Sequence, residues 1–197
     1  MDRKGEVTRL VERWRQGDET ALDRLVELAY DDLRQIASRH LHGWRRSHTI
    51  ETTALVHELY LRLAGVNETA SGGRPQFFAF CSKAMRHLLV DFARRRQAAK
   101  RGGGRVLVPL DEDSAGVDAE AAELVALDDA LRSLASRNER MARIVECRFF
   151  GGLSVSETAE VVGASKRTVE REWTRARAYL QHSLSTEPNG SKASVDS

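Results

Sequence analysis

His40, His42 and His48 gather in HLHGWRRSH, a grouping that could in principle hold a metal ion. It has neither paired cysteines nor the i, i+4 histidines by which a helix presents two imidazoles to zinc, so no metal and no cofactor is expected. GGRPQF and RGGGRV are glycine-rich, but both lack the Lys-Ser/Thr and the preceding strand of a phosphate loop. Carboxylates are plentiful, yet they fall on helix faces or in one acidic stretch, where solvation accounts for them. No catalytic residue is assigned, and the chain is read as not an enzyme. The chemistry that remains is that of fixed positive charge. Lys166, Arg167, Arg171 and Arg175 crowd into SKRTVEREWTRAR together with Glu170 and Thr174. Such groups bind phosphates and the edges of bases.

Those charges need a scaffold, and the stretch SVSETAEVVGASKRTVERE supplies one. Val155, Ala159 and Val162 recur at i, i+4 and i+7, one face of a helix. Ser154 is a candidate N-cap with Glu157 three residues on, as in a capping box. Gly163 follows the last apolar position, where a chain leaving a helix adopts a left-handed residue. Ser165 can cap the next helix, in which Val169, Trp173, Ala176 and Leu180 should face inward. Ser165, Lys166, Arg167, Glu170, Arg171, Thr174 and Arg175 are left at its entry, outward or on its flanks. A small residue, a turn residue and a buried aliphatic at Ala159, Gly163 and Val169 fit a helix-turn-helix, whose second helix enters a major groove. The plainer alternative is a helical hairpin with a solvated face. The clustering of charge where base edges would be met favours the groove reader.

A second set of groups lies upstream. Phe77, Phe78 and Phe80 open a helix that ends in ARRRQAAKRGGGR. Exposed aromatics stack on unpaired bases while Lys and Arg hold phosphates, which suits a duplex whose strands are being parted. Phe78 fits the apolar stripe of that helix and is read as core. Phe80 lies off the stripe and is the better functional candidate.

The chain has 197 residues, 41% of them hydrophobic and 30% charged, which is the composition of a soluble globular protein of one or two domains. No apolar run reaches the roughly 18 residues of a membrane span, and MDRKGEVTRLVERWRQGDE has no signal-peptide core. Cys81 and Cys147 suggest neither a bridge nor a metal site, and a reduced, cytoplasmic protein is expected. The net charge of +2 hides an asymmetry. From Lys83 to Arg105 the chain is basic, with Asp91 the exception. From Asp111 to Asp129 it is acidic, with no Lys or Arg.

The elements read as all-α. Val7, Leu10, Val11 and Trp14 mark a first helix stopping near Gly17. Asp18 caps a second that carries Leu22 to Ala37. Leu55, Leu59 and Leu63 mark a third, ending at Gly65. Residues 43–50 and 66–74 read as connections. Pro75 opens the fourth helix, whose stripe is Phe78, Cys81, Met85, Leu88 and Phe92. Leu124, Leu127, Leu131 and Leu134 mark another helix, and Met141, Ile144, Val145 and Phe149 the next. The expected organisation is two small helical domains, 1–101 and 123–185, joined by an acidic flexible linker, 102–122. The C-terminal domain is the helix-turn-helix, and 186–197 is a disordered tail.

This order of parts resembles a bacterial RNA polymerase sigma factor of the extracytoplasmic-function (ECF) group. The resemblance covers about residues 5–183 and is carried by LVHELYLRL, by the stretch from Phe80 to Arg96, and by GLSVSETAEVVGASKRTVEREWTRAR. It implies a promoter-recognition subunit that directs transcription initiation. Its partners would be core RNA polymerase (the β′ clamp and β flap) and promoter DNA, with an anti-sigma factor as a further expected partner and no membrane. Carried over, Leu55, Glu58, Tyr60 and Arg62 would meet polymerase, although Ala54 and His57 stand where the family has an acid and Gln. Arg74, Phe77, Phe80, Lys83, Arg86, His87, Arg94 and Arg95 would melt and read the −10 element. Phe80 replaces the family's frequent Trp and His87 its Asn, whereas Arg86 and Asp91 match. The helix-turn-helix would read the −35 element, and the acidic linker would thread a basic channel of the polymerase. The alternative is a helix-turn-helix repressor or activator whose N-terminal half senses a ligand or partner.

Overall fold

The structure, a computed structural model, describes residues 3–41, 51–65, 72–101 and 112–186. Its elements are α1 (Arg3–Arg15), α2 (Glu19–His40), α3 (Thr52–Ala64), α4 (Arg74–Arg101), α5 (Glu112–Arg137), α6 (Glu139–Val145), α7 (Val155–Val162) and α8 (Lys166–Thr186). A π-helical turn, Glu146–Phe150, continues α6. Among the described residues there is no strand.

The N-terminal elements form where the apolar spacing puts them. Asp18 caps α2, its carboxylate accepting the Ala21 N–H and also pairing with Arg13 at 2.6 Å. Val7, Leu10, Val11 and Trp14 of α1 pack with Leu22, Leu25, Ala29 and Leu33 of α2, and Leu55, Leu59 and Leu63 of α3 close the same core. Long α4 supplies its centre through Phe77, Phe78, Cys81, Met85 and Leu89. That core does not stop at α4, because Ala121 and Leu124 of α5, Cys147 of the π turn and Leu153 before α7 belong to it. A second cluster joins α5, α6 and α8 through Leu131, Leu134, Ala142, Val145, Ala176 and Leu180.

Three expectations are corrected here. Residues 112–122, expected in the flexible linker, are the first turns of α5. The segment AEAAEL is made of strong helix formers, and Ala121 has a core to pack into, so the acidic composition does not prevent a helix. Residues 102–111 of that linker, the connections at 43–50 and 66–71, and the tail from 187 lie outside the described residues. Phe149, expected inside, is 58% exposed, whereas Phe150 is buried. The π turn adds a residue to the repeat, so the buried face runs from Val145 to Phe150 at i+5 rather than to Phe149 at i+4. Beyond Met85 the buried apolar positions of α4 are Leu89, Val90 and Ala93, with Leu88 and Phe92 only partly buried. The helix is covered on two sides, by α1–α3 and by α5, the π turn and α7, so one stripe does not describe it.

Candidate nucleic-acid interface

The α7–α8 unit is built from the turn outward. Ser154 Oγ accepts the Glu157 N–H at 3.2 Å, and Glu157 Oε2 accepts the Ser154 N–H at 2.9 Å, so the capping box is complete. Gly163 sits at φ 62°, ψ 42° and donates its N–H to the Ala159 carbonyl. A side chain there would be strained by the left-handed backbone, not by lack of space. Ser165 Oγ accepts the Thr168 N–H at 3.1 Å and starts α8. Val169, fully buried, packs with Ile144 and Ala159. Ser165, Lys166, Arg167, Glu170, Arg171, Thr174 and Arg175 are exposed, as the spacing predicts. The Thr174 hydroxyl donates to the Glu170 carbonyl of its own helix.

Glu172 was not singled out by spacing. It is buried on the inner side of α8 and takes a two-pronged pair from Arg140, at 2.8 and 2.5 Å. The Arg140 hydrogen bond holds its carboxyl below the usual range. This pair locks the rotation of α8 on α6, so the basic row points away from the body. Its only sequence signal is position, since Glu172 lies three residues after Val169 on the same face.

On α4 the expected residues are placed differently. Phe77 is in the core, edge-on to Trp14 at 6.3 Å, and so is not offered to a nucleic acid. It falls on the α1-facing side that the stripe through Phe78 did not include. Phe80 is half-buried against the core, and Lys83 and Arg95 are exposed. Arg74 lies over the Phe78 ring and pairs with Glu157 at 2.8 Å. Burial works against ionisation of Glu157, but the Ser154 hydrogen bonds and the Arg74 charge outweigh it and hold the carboxyl low. Arg86 is buried. It donates to Asp128 and, at 2.7 Å, to Glu146. Asp128 also takes Arg94 at 3.2 Å and Arg132 at 3.0 Å. His87 is half-buried beside Arg86, and burial followed by the Arg86 charge lowers its pKa.

Of the histidine group only His40 lies in the described residues. It is stacked on Phe150 with centroids 4.9 Å apart, and its Nε2 is 3.2 Å from Ser82 Oγ. Burial, then the Arg86 charge, pushes its pKa down to about 3, so it is neutral. A cavity of about 550 Å³ opens between α4 and α6–α7, lined by Phe80, Lys83, Arg143, Glu146 and Cys147 among others.

On α3, Leu55 is only 2% exposed and belongs to the core, correcting its expected place on a binding surface. It shares the inward stripe with Leu59 and Leu63. Glu58 and Arg62 are exposed, with Leu61 between them 52% exposed. Tyr60 is half-buried and donates to Asp23 at 2.7 Å.

Among the described residues no helix is long and apolar enough to cross a membrane. A family model described as ECF sigma factor matches residues 4–186. No curated protein matches the chain.

Proposed function

The chain belongs to the ECF sigma factor family, whose members act in transcription initiation with RNA polymerase and promoter DNA, and from that premise we propose how this chain divides the work. The exposed basic row of α8 reads the −35 element in a major groove. Lys166, Arg167, Glu170, Arg171 and Thr174 meet bases or nearby phosphates, and Arg175 meets phosphate. The observation that carries this reading is the geometry of α8. A left-handed turn and a serine cap start the helix, Val169 and the Arg140–Glu172 pair fix its inner face, and every group expected at DNA is on the outer one.

The −10 element falls to α4, through Arg74, Phe80, Lys83, Arg86, His87, Arg94 and Arg95, with Phe77 supporting them from the core. Core polymerase docks on the exposed face of α3, through Glu58, Arg62 and the ring edge of Tyr60. Leu61 adds an apolar contact that the sequence reading passed over. The chain works in the cytoplasm as a regulatory factor without catalysis. A single helix-turn-helix buries little surface and binds DNA weakly alone. Held beside a second DNA-reading half, it gains from effective concentration.

The test is transcription from a genomic fragment library by core polymerase, with and without the protein. New start sites sharing an upstream element are expected. Their absence, with a folded protein present, would refute the reading.

A further inference from the structure

Four carboxylates lie on α7 and α8, and three of them have partners. Glu157 is held by Ser154 and Arg74, Glu172 by Arg140, and Glu160 by the Gln76 side-chain amide at 3.5 Å. Glu170 is the exception. It is exposed, and among the described residues its carboxylate has neither a hydrogen bond nor an ion pair. Cations surround it all the same: Lys166 lies one turn earlier, and Arg167 and Arg171 flank it. The Thr174 hydroxyl, one turn later, donates to the Glu170 main-chain carbonyl at 3.1 Å and not to the carboxylate. An acid in a row of phosphate-binding groups works against the affinity of that row, because phosphates repel it. It gains only where a hydrogen-bond donor is offered to it.

We propose that Glu170 is the residue of α8 that selects cytosine: its carboxylate accepts from the exocyclic N4 amine of one cytosine in the −35 element, and it penalises sequences that do not offer that amine. This rests on the reading of α8 as the −35 helix. The chemistry singles out the base. In a major groove only cytosine and adenine present an amine. Adenine sets its N7 acceptor beside that amine, and a carboxylate, which has lone pairs and no proton to give, is repelled there. Guanine and thymine present acceptors, and phosphate is excluded by its charge. Glu170 therefore differs in kind from Lys166, Arg167 and Arg175, which gain on any duplex. Its contribution is a difference between sites, since an unmatched carboxylate against DNA is a loss. The local structure suits this task. Gly163 and the Ser165 cap start α8 just before Glu170, and Val169 next to it is fully buried. The backbone that carries Glu170 is thus fixed while its side chain is open to solvent.

The experiment uses the full chain with core polymerase on a promoter recovered from the genomic fragment library, its −35 element randomised. The parent is compared with Glu170→Ala, Glu170→Gln and, as a control on the reading of α8, Arg171→Ala. Affinity for a labelled random-sequence duplex is measured without polymerase. At the position that the Glu170 variants alter, the parent should favour cytosine about tenfold. Glu170→Ala should abolish that preference, leave the other positions as they are, and raise affinity for the random duplex about threefold. Glu170→Gln should move the preference at the same position to adenine, whose N6 amine and N7 match the two ends of an amide. A merely structural side chain would not produce that exchange. Helicity should be unchanged, because Glu170 is exposed. Unaltered base preferences in both Glu170 variants, or a loss equal on all sequences, would overturn the proposal. So would a parent preference at that position for a base other than cytosine. If Arg171→Ala still altered one −35 position, the reading of α8 would stand without it. If no variant altered any −35 position, that reading would fall as well.

Discussion

Arg86 and Asp128 meet across the boundary between the two halves, both buried, with a guanidinium nitrogen on one carboxylate oxygen while Arg94 and Arg132 hold the other. The two sides of the pair are not equivalent. Removing Asp128 leaves Arg86 with Glu146 as its remaining carboxylate partner in a desolvated site. Removing Arg86 leaves Asp128 still matched by two cations. Asp128→Leu should therefore cost roughly 3–5 kcal/mol of stability, and Arg86→Met distinctly less. The double variant should recover most of the loss, because no unpaired charge is then buried. Urea unfolding of the four proteins checks this. Strict additivity would mean that the pair is not a coupled unit. If Arg86 also meets promoter DNA, the double variant should be stable yet transcribe poorly.

The exposed face of α3 offers a second test. Glu58 is exposed and lies off the Leu55/Leu59/Leu63 stripe that packs inward. Glu58→Lys should leave helicity and melting temperature unchanged within error. It should weaken co-elution with core polymerase, since a reversed charge at an interface costs on the order of 1–3 kcal/mol. Leu61→Ala, on the same open side, should weaken the complex further without touching the fold. Full retention of both variants in the complex would remove α3 as the docking surface.

His40 gives a pH dependence with a defined sign. Its pKa is about 3 in the folded chain against 6.5 ordinarily, so below 6.5 the unfolded chain binds the proton that the folded one refuses. Stability should fall as pH drops through this window, by about 2 kcal/mol between pH 7 and pH 5. His87 shifts in the same direction and adds a smaller share. Below about pH 4.5 the loss of Glu157 and Glu172 ionisation also counts, because the Ser154 hydrogen bonds and then Arg74 lower the first, and Arg140 the second, in the folded state. The diagnostic range is therefore about pH 6.5 to 4.5. In it, His40→Gln, which can keep a hydrogen bond to Ser82, should show a shallower slope than the parent. Equal slopes would mean that His40 titrates as if exposed.

Much of this architecture was legible because its signals are local. Capping at Asp18 and Ser154, the left-handed Gly163, and the inward row of Val169, Ala176 and Leu180 follow from residue type and period, and the basic face of α8 follows by subtraction. What was not legible depends on partners distant in sequence. Phe77 is core because Trp14 lies against it, and Glu172 is buried because Arg140 reaches it. The helical start of α5 was hidden by its charge, since acidic composition resembles a linker until Arg96 is found against Asp118. The shift from Phe149 to Phe150 needed a π turn that no propensity announces. Above all, the pairing of a basic helix with an acidic one was visible as two opposite blocks in the sequence. It was read there as surface and linker rather than as one contact.

The two faces of α8 should respond to mutation in different ways. Arg171 is exposed about one turn into the helix. If its guanidinium reads a guanine edge, Arg171→Ala should cost about 1–3 kcal/mol, concentrated at one position of the −35 element. Arg175 is exposed a turn further on, and under the proposed docking it meets phosphate rather than a base edge. Arg175→Ala should weaken all promoters alike and flatten the salt dependence by about one counterion. Val169 is fully buried between α6, α7 and the core side of α8. Val169→Asp places a carboxylate there with no partner and should cost several kcal/mol, on the order of the penalty for an unpaired buried charge. Its effect should appear as lost helicity and early melting of the full chain, and on every promoter at once. Circular dichroism and run-off transcription on a mutated −35 series separate the three. Position-specific loss for Arg171, uniform loss for Arg175 and unfolding for Val169 is the expected pattern. A folded Val169→Asp protein, or an Arg171→Ala protein equally active on every −35 variant, would show that the inner and outer faces of this helix are wrongly assigned.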